Sequence, residues 1–304
     1  MSHAYRLSAL KLESDFDLPE LLPWDGPVDA SADVVVKLGK VPSRLDSPDH
    51  IAPIFQTKGR GEYLLTLPGT GRILVQDGAR VTVEPEPGAD PTDTRAILTG
   101  PIQAMLWHQR GLLPLHASVV SVEGRSIALA ARSAAGKSTL AAILAATGHQ
   151  VMSDNIGVVD ISPGNEARVL PGSPYLRLWR DALNRLGIAV DGLKRTSSAK
   201  ERYLVDCLDG SPRKPQKLAA IVLVSRGLTR AVTIARLHGF QATAALHDVV
   251  HMRRPARALA RDPDIFSILT RLVSSGVTVW RLKVPDDPAC LREAAATVPT
   301  VLEA

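Results

Sequence analysis

Short apolar runs separated by turn residues dominate the chain from residue 32 to residue 84. Val34-Val35-Val36 is followed by residues 63–67, 73–76 and 80–83, divided by Pro68-Gly69-Thr70-Gly71 and by Asp77-Gly78. An Asp-Gly pair between two such runs predicts a hairpin, because both turn residues must take positive φ. This stretch reads as a small antiparallel β-rich module with nothing catalytic in it. Trp24 and His50 read as structural or surface residues. The polar, proline-rich segment from Glu84 to Pro91 is the candidate boundary, giving a β-rich domain over 1–92 and an α/β domain over 93–304.

Beyond residue 93 the period changes. A helix is expected with Pro101 in its first turn, Gly111 just past its end, and Ile102, Met105 and Leu106 on one face. Residues 117–122 and 125–130 are apolar-rich runs joined by Glu123-Gly124, a second hairpin. Pairing outward from that turn sets Val122 opposite Arg125 and His116 opposite Ala131. A helix over 137–146 with Leu140, Ile143 and Leu144 inward ends at Gly148, and a short strand then delivers Ser153-Asp154-Asn155. Trp179, Leu183 and Leu186 fit a short helix closed by Gly187, and residues 194–202 read as a polar, basic surface loop. Residues 218–224 and 277–282 read as strands, with helices starting near Asp264 and Ala289. Strands alternating with helices indicate an α/β fold.

Composition narrows the picture little. The 304 residues are 45% hydrophobic and 22% charged, ordinary for a globular protein. Two cysteines, Cys207 and Cys290, make no disulfide framework and lack metal-ligand spacing, so reduced thiols and a cytoplasmic location are expected. No run reaches the roughly 20 apolar residues of a membrane helix. The net charge of +5 is scattered without aromatic interleaving, so no nucleic-acid or membrane partner is expected.

Candidate chemistry lies between Leu115 and Asp160. In Ala131-Arg132-Ser133-Ala134-Ala135-Gly136-Lys137-Ser138 the spacing and last three residues of a phosphate loop are intact, although alanine opens it. Such a loop turns backbone N–H groups onto phosphate oxygens, adds a Lys for the β- and γ-phosphates, and places a hydroxyl on Mg²⁺. Ser133, Ala134, Ala135, Gly136, Lys137, Ser138 and Thr139 are thus the candidate ATP-binding residues. An alanine forced to positive φ would cost about 1 kcal/mol. The alternative is a small-residue turn between strand and helix. Strand 218–224 ends in Ser225-Arg226 and offers no acid, whereas Asp154 ends the strand after the loop helix. There it reads either as a base for an attacking hydroxyl or as a surface residue in a turn. His116 reads either as a structural histidine or as a neighbour of the loop.

The order His116, hairpin, Ser-Ala-Ala-Gly-Lys-Ser-Thr, Ser153-Asp154-Asn155 resembles the catalytic domain of bacterial HPr kinase/phosphorylase. It is more similar still to the kinase-like homologues encoded with lasso-peptide biosynthesis genes. Gly111 to Ser118, Pro171 to Trp179 and Glu201-Arg202-Tyr203-Leu204 extend that second likeness. The resemblance implies a P-loop kinase domain of the HPr kinase type preceded by a small β-rich domain. It implies ATP and Mg²⁺ as cofactors, with Lys137 on the β/γ-phosphates, Ser138 on the metal, Asp154 as acid/base, His116 beside the transferred phosphate and Arg202 stabilising charge. A peptide or small-protein substrate is implied, by best match the C-terminal serine of a lasso precursor, and a homo-oligomer is expected. Asn155 stands where HPr kinase has a second, metal-shell Asp, and Ala131 and Ala134 replace family glycines. A nucleotide-sensing module without turnover, and a kinase/phosphorylase acting on HPr, are the rival readings.

Overall fold

The computed structural model describes residues 2–132, 135–161, 166–227 and 229–303. They form two compact units. One comprises Met1–Leu112, Thr196–Lys200 and Met252–Asp264; the other comprises Leu113–Arg195, Glu201–His251 and Ile265–Ala304. The first division therefore falls after Leu112 rather than at residue 92, and two later segments return to the first unit.

The first unit carries nine strands: β1 (His3–Leu7), β2 (Leu10–Ser14), β3 (Leu22–Pro23), β4 (Val34–Leu38), β5 (His50–Ile51), β6 (Phe55–Lys58), β7 (Glu62–Leu67), β8 (Gly71–Gln76) and β9 (Arg80–Pro85). They form one sheet in the order β3-β1-β2-β4-β9-β8-β7-β6-β5. The β8–β9 hairpin turns at Asp77 and Gly78, with φ of 54° and 64°, as the Asp-Gly pair requires. The sheet is mixed rather than antiparallel, because β4 runs parallel to both β2 and β9. Local turn signals report hairpins and carry no information about such non-adjacent pairings.

Helix α1 (Pro91–Ile97) starts at Asp90, whose carboxylate accepts the Thr92 N–H at 2.7 Å. It passes through a π-helical turn (Leu98–Ile102) into α2 (Gln103–Gln109). Pro101 thus lies inside the helical stretch rather than at its start. A proline lacks the N–H for an i→i−4 bond and its ring crowds that carbonyl, and widening the turn accommodates both. Met105, Leu106 and Ile102 are buried as their spacing demands.

The rest of the chain runs β10 (Leu113–Leu115), β11 (Ala117–Val122), β12 (Arg125–Ala130), α3 (Lys137–Ala146), β13 (Gln150–Ser153), β14 (Gly157–Ile161), β15 (Ala167–Leu170), β16 (Tyr175–Trp179) and α4 (Arg180–Leu186). Then come β17 (Arg202–Asp206), β18 (Gln216–Gly227), β19 (Thr233–Leu237), α5 (Gly239–His247), α6 (Arg253–Ala258), α7 (Asp262–Ser274), β20 (Thr278–Pro285) and α8 (Cys290–Thr297). Among the described residues the second unit's main sheet follows β10-β14-β15-β18-β12-β11-β13, with β20 between β18 and β19. The β11–β12 register is the expected one, from Val122↔Arg125 to Ala117↔Ala130, and β18 joins β12 in parallel. Ile127 and Leu129 of β12, Leu140 and Leu144 of α3, and Val222 of β18 share one core. Each such leucine, at most 1% exposed, stabilises the fold by about 2 kcal/mol.

Two expectations for this unit change. Trp179 ends a strand rather than opening a helix, and α4 begins at Arg180. Arg202 is not part of a surface loop, because it starts β17 and pairs with Trp179 across the β16–β17 ribbon. Leu176 and Leu178 alternate into the core, a period of two that the nearby helical spacing masks. Cys207 and Cys290 are both unbridged. Among the described residues no helix is long and apolar enough to cross a membrane.

Candidate active site

Strand β12 leads through the loop to Gly136, which caps α3 with φ 89°. That left-handed conformation is the reason for glycine here, since a Cβ would still find about van der Waals room, its nearest neighbour 3.8 Å away. The first turn of α3 leaves its N–H groups unsatisfied and its positive dipole end facing the loop, which suits an anion. Lys137 is only 6% exposed. Its Nζ donates to the carbonyls of Ala131 at 3.2 Å and Arg132 at 3.4 Å, and lies 3.3 Å from His116 Nε2.

Strand β13 delivers Asp154, 9% exposed, against the same helix turn. Its Oδ1 accepts from Ser138 Oγ at 2.9 Å and from Ser118 Oγ at 2.5 Å, and its Oδ2 accepts the Arg177 backbone N–H at 2.9 Å. The carboxylate is thus fixed by three elements, α3, β11 and β16. A carboxylate oxygen offers two lone pairs, so Oδ1 is saturated and Oδ2 keeps one for a further donor.

His116 precedes β11, held by its N–H to Val249 O at 2.8 Å and by Ala131 N–H to its own carbonyl at 3.3 Å. Its ring stacks on His251 with centroids 5.1 Å apart. Burial, the Lys137 charge and the Arg202 charge together push the imidazole down to about 4, so it is neutral near pH 7. A charged Lys137 can only donate, which makes His116 Nε2 the acceptor and leaves the ring proton on Nδ1. Burial, aided by Arg202, lowers Lys137 to about 8, against the opposing pull of Asp154. Arg202 Nε donates to Arg177 O at 3.4 Å, and its guanidinium lies 6.0 Å from the Trp179 ring. Burial also lowers its pKa, with Asp154 opposing.

Lys137, Ser138, Asp154, His116 and Arg202 are thus brought together from four places in the sequence. Other candidates fare differently. Ser133 and Ala134 lie outside the described residues. Ala135 and Thr139 are half-buried, and Thr139 makes no side-chain hydrogen bond among the described residues. Ala131 does not adopt positive φ, so the strain expected of an alanine at the loop's opening is absent there. Asn155 turns the chain between β13 and β14 with φ 72° and makes no side-chain hydrogen bond among the described residues. The hydroxyl-bonding carboxylate next to Ser138 is Asp154. Ser118, Arg177 and His251 were not expected. Ser118 was legible, since two residues beyond His116 along an extended chain lie on the same face. His251 carries no local signal.

The residues present fit a magnesium nucleotide: a left-handed glycine at a helix N-terminus, a buried lysine, and a hydroxyl joined to a carboxylate. Among the described residues no three His, Cys, Asp or Glu side chains cluster. Magnesium bound largely through phosphates and water needs only one or two protein ligands.

No family model matches the sequence, and no curated protein matches it. Among solved structures, the HPr(Ser) kinase/phosphatase from Coxiella burnetii aligns with a TM-score of 0.33 and 12% identity, over 63% of this chain and 99% of that one. A score this low leaves the site's own geometry as the ground for a functional conclusion.

Proposed function

We propose that the second unit is an ATP- and Mg²⁺-dependent kinase that phosphorylates a serine hydroxyl of a small protein or ribosomal peptide, with the C-terminal serine of a lasso precursor as the substrate of choice. The observation that carries this reading is Asp154, tied through Oδ1 to the phosphate-loop serine while Oδ2 keeps a lone pair. The choice of precursor rests on the resemblance of the motifs alone.

In this reading the backbone of the loop and the first turn of α3 hold the phosphates, and Lys137 lies against the β- and γ-oxygens. Ser138, supported by Asp154, is the ligand that would hold Mg²⁺, which neutralises charge on the transferring group. Asp154 Oδ2 takes the proton of the attacking hydroxyl as its oxygen bonds to the γ-phosphorus. The bond from the γ-phosphorus to the bridging oxygen breaks and ADP leaves with those electrons. Arg202 offsets charge on the equatorial oxygens, and neutral His116 positions Lys137 without adding a third cation.

The test is incubation of the protein with γ-labelled ATP and a serine-terminated precursor peptide. Label on the terminal serine from wild type and none from Asp154→Asn is the expected result. Saturable ATP binding that needs Lys137, with no labelled peptide or small protein, would overturn the kinase reading in favour of a nucleotide sensor.

A further inference from the structure

The first unit holds a cavity of about 1120 Å³ against the outer strands of its sheet. Its walls are overwhelmingly apolar. Tyr63 and Leu65 of β7 contribute alternate residues of one sheet face, and Phe55, opposite Leu65 in the register, continues that face onto β6. Ile54 at the turn beyond is 48% exposed, and Ile51 on β5 beside it is 55% exposed, so the apolar surface extends past the cavity's mouth.

Two features narrow what would fill it. Arg254 on α6 lines the cavity, is exposed, and has no ion-pair partner among the described residues. The neighbouring Arg257 is paired with Asp262 at 3.3 Å, so Arg254 is the guanidinium of the lining left to meet an acid, while the lining's own acid, Asp49, accepts the Gly59 N–H. Finally, β5 is the last strand of the sheet and has no neighbour on its outer side among the described residues. A fatty acid would answer the apolar walls and Arg254, but it has one polar end and nothing for a strand edge. An extended peptide supplies apolar side chains, a carboxylate, and backbone groups for the edge.

We infer that this cavity is a docking site for an extended peptide segment carrying apolar side chains and one carboxylate, held between the face of β6–β7 and the free edge at β5, with its acid on Arg254. The lining belongs entirely to the first unit, and the proposal stands whichever chemistry the second unit performs.

Panning the full chain against a phage-displayed library of random twelve-residue peptides tests it. Enriched peptides should combine apolar residues with one Asp or Glu. In anisotropy titrations Arg254→Glu and Ile54→Glu should each weaken them about tenfold, and changing the peptide's acid to its amide should cost as much in wild type but nothing further in Arg254→Glu. Both Glu variants lie at exposed positions, and an unchanged melting temperature shows that they fold. The proposal falls if no peptide is enriched, or if enriched peptides ignore both Glu variants. It falls too if decanoate binds more tightly than the peptides with the same dependence on Arg254, which would make the cavity a fatty-acid site.

Discussion

Ser138 Oγ donates to Asp154 Oδ1 at 2.9 Å, tying the first turn of α3 to the end of β13. In the proposed reaction one carboxylate answers to two tasks, Oδ1 holding the Ser138 hydroxyl and Oδ2 taking the proton of the attacking hydroxyl. Asp154→Asn separates the tasks. Its amide oxygen can still accept from Ser138 and Ser118, but its NH₂ cannot take a proton and meets the Arg177 N–H donor to donor. Transfer should fall by about 10³-fold, within the span of a lost general base, while ATP affinity changes by less than about tenfold. Single-turnover transfer from labelled ATP beside equilibrium ATP binding reads both, and equal yields from the two proteins would refute the assignment.

Ser118 is fully buried and its hydroxyl bonds the same Oδ1 at 2.5 Å. In Ser118→Ala that oxygen loses one of its two donors and Asp154 gains rotational freedom. A lost hydrogen bond to a charged group costs about 1.5–3 kcal/mol, so transfer should slow by at least about tenfold and the protein should melt earlier. Ser118→Thr keeps the hydroxyl and should recover most of the rate, provided the extra methyl is accommodated. A Ser118→Ala protein with wild-type turnover would remove Ser118 from the site.

How far the site can be read in advance depends on how local its cause is. The β11–β12 register was legible because Glu123-Gly124 fixes it on the spot, with φ of 50° and 74°, and that register alone put His116 beside the loop. Arg202 reaches the site through its pairing with Trp179 across 22 intervening residues, which no turn signal announces, so its sequence reads as a loop. The parallel partner of β12 and the stack of His251 on His116 are equally remote in sequence. Asn155 is the opposite case: a neighbour in sequence that reads as a metal ligand, here left-handed in the turn and without a side-chain hydrogen bond among the described residues. Asn155→Ala is therefore expected to leave the Mg²⁺ concentration for half-maximal transfer within about threefold, since Ser138 and Asp154 remain. A much larger rise would return Asn155 to the metal shell.

Lys137 is lowered to about 8 mainly by burial, whereas bound phosphates keep it charged. Above that pH the free protein must take up a proton to bind ATP. Affinity should thus be flat below pH 8 and fall above it, by up to about tenfold per pH unit. Calorimetry at pH 8.5 in buffers of different ionisation enthalpy should report proton uptake that vanishes at pH 6.5. An affinity unchanged from pH 7 to 9.5 contradicts the burial argument. Lys137→Arg should bind more weakly, and with little pH dependence in this range.

His116 is held down to about 4, against 6.5 for an ordinary imidazole, by burial and by two cations. Between those values the unfolded chain binds the extra proton and the folded chain does not, so stability rises with pH across that window. Its contribution is whole above pH 6.5 and is lost as pH falls towards 4. His116→Gln cannot titrate, so its urea midpoint should decline less steeply than wild type over pH 6.5 to 4.5, even if it starts lower. Parallel curves would mean that the ring is protonated in the fold without penalty.

The alanine at the head of the loop gives the last prediction. If glycine were needed there for its backbone, Ala131→Gly would tighten ATP binding. Ala131 is 3% exposed, lies in the core shared by β12 and α3, and takes no positive φ, while its N–H bonds the His116 carbonyl at 3.3 Å. Its methyl is therefore packing rather than an obstruction. Glycine would remove that buried methyl and enlarge the conformational freedom of the unfolded chain, for a loss of about 1 kcal/mol or more. It would also loosen the strand end that holds His116. Ala131→Gly should melt several degrees lower with ATP affinity unchanged or weaker, read by thermal denaturation and by nucleotide titration of the same preparation. Binding tightened more than about threefold without loss of stability would mean that the alanine distorts the loop after all.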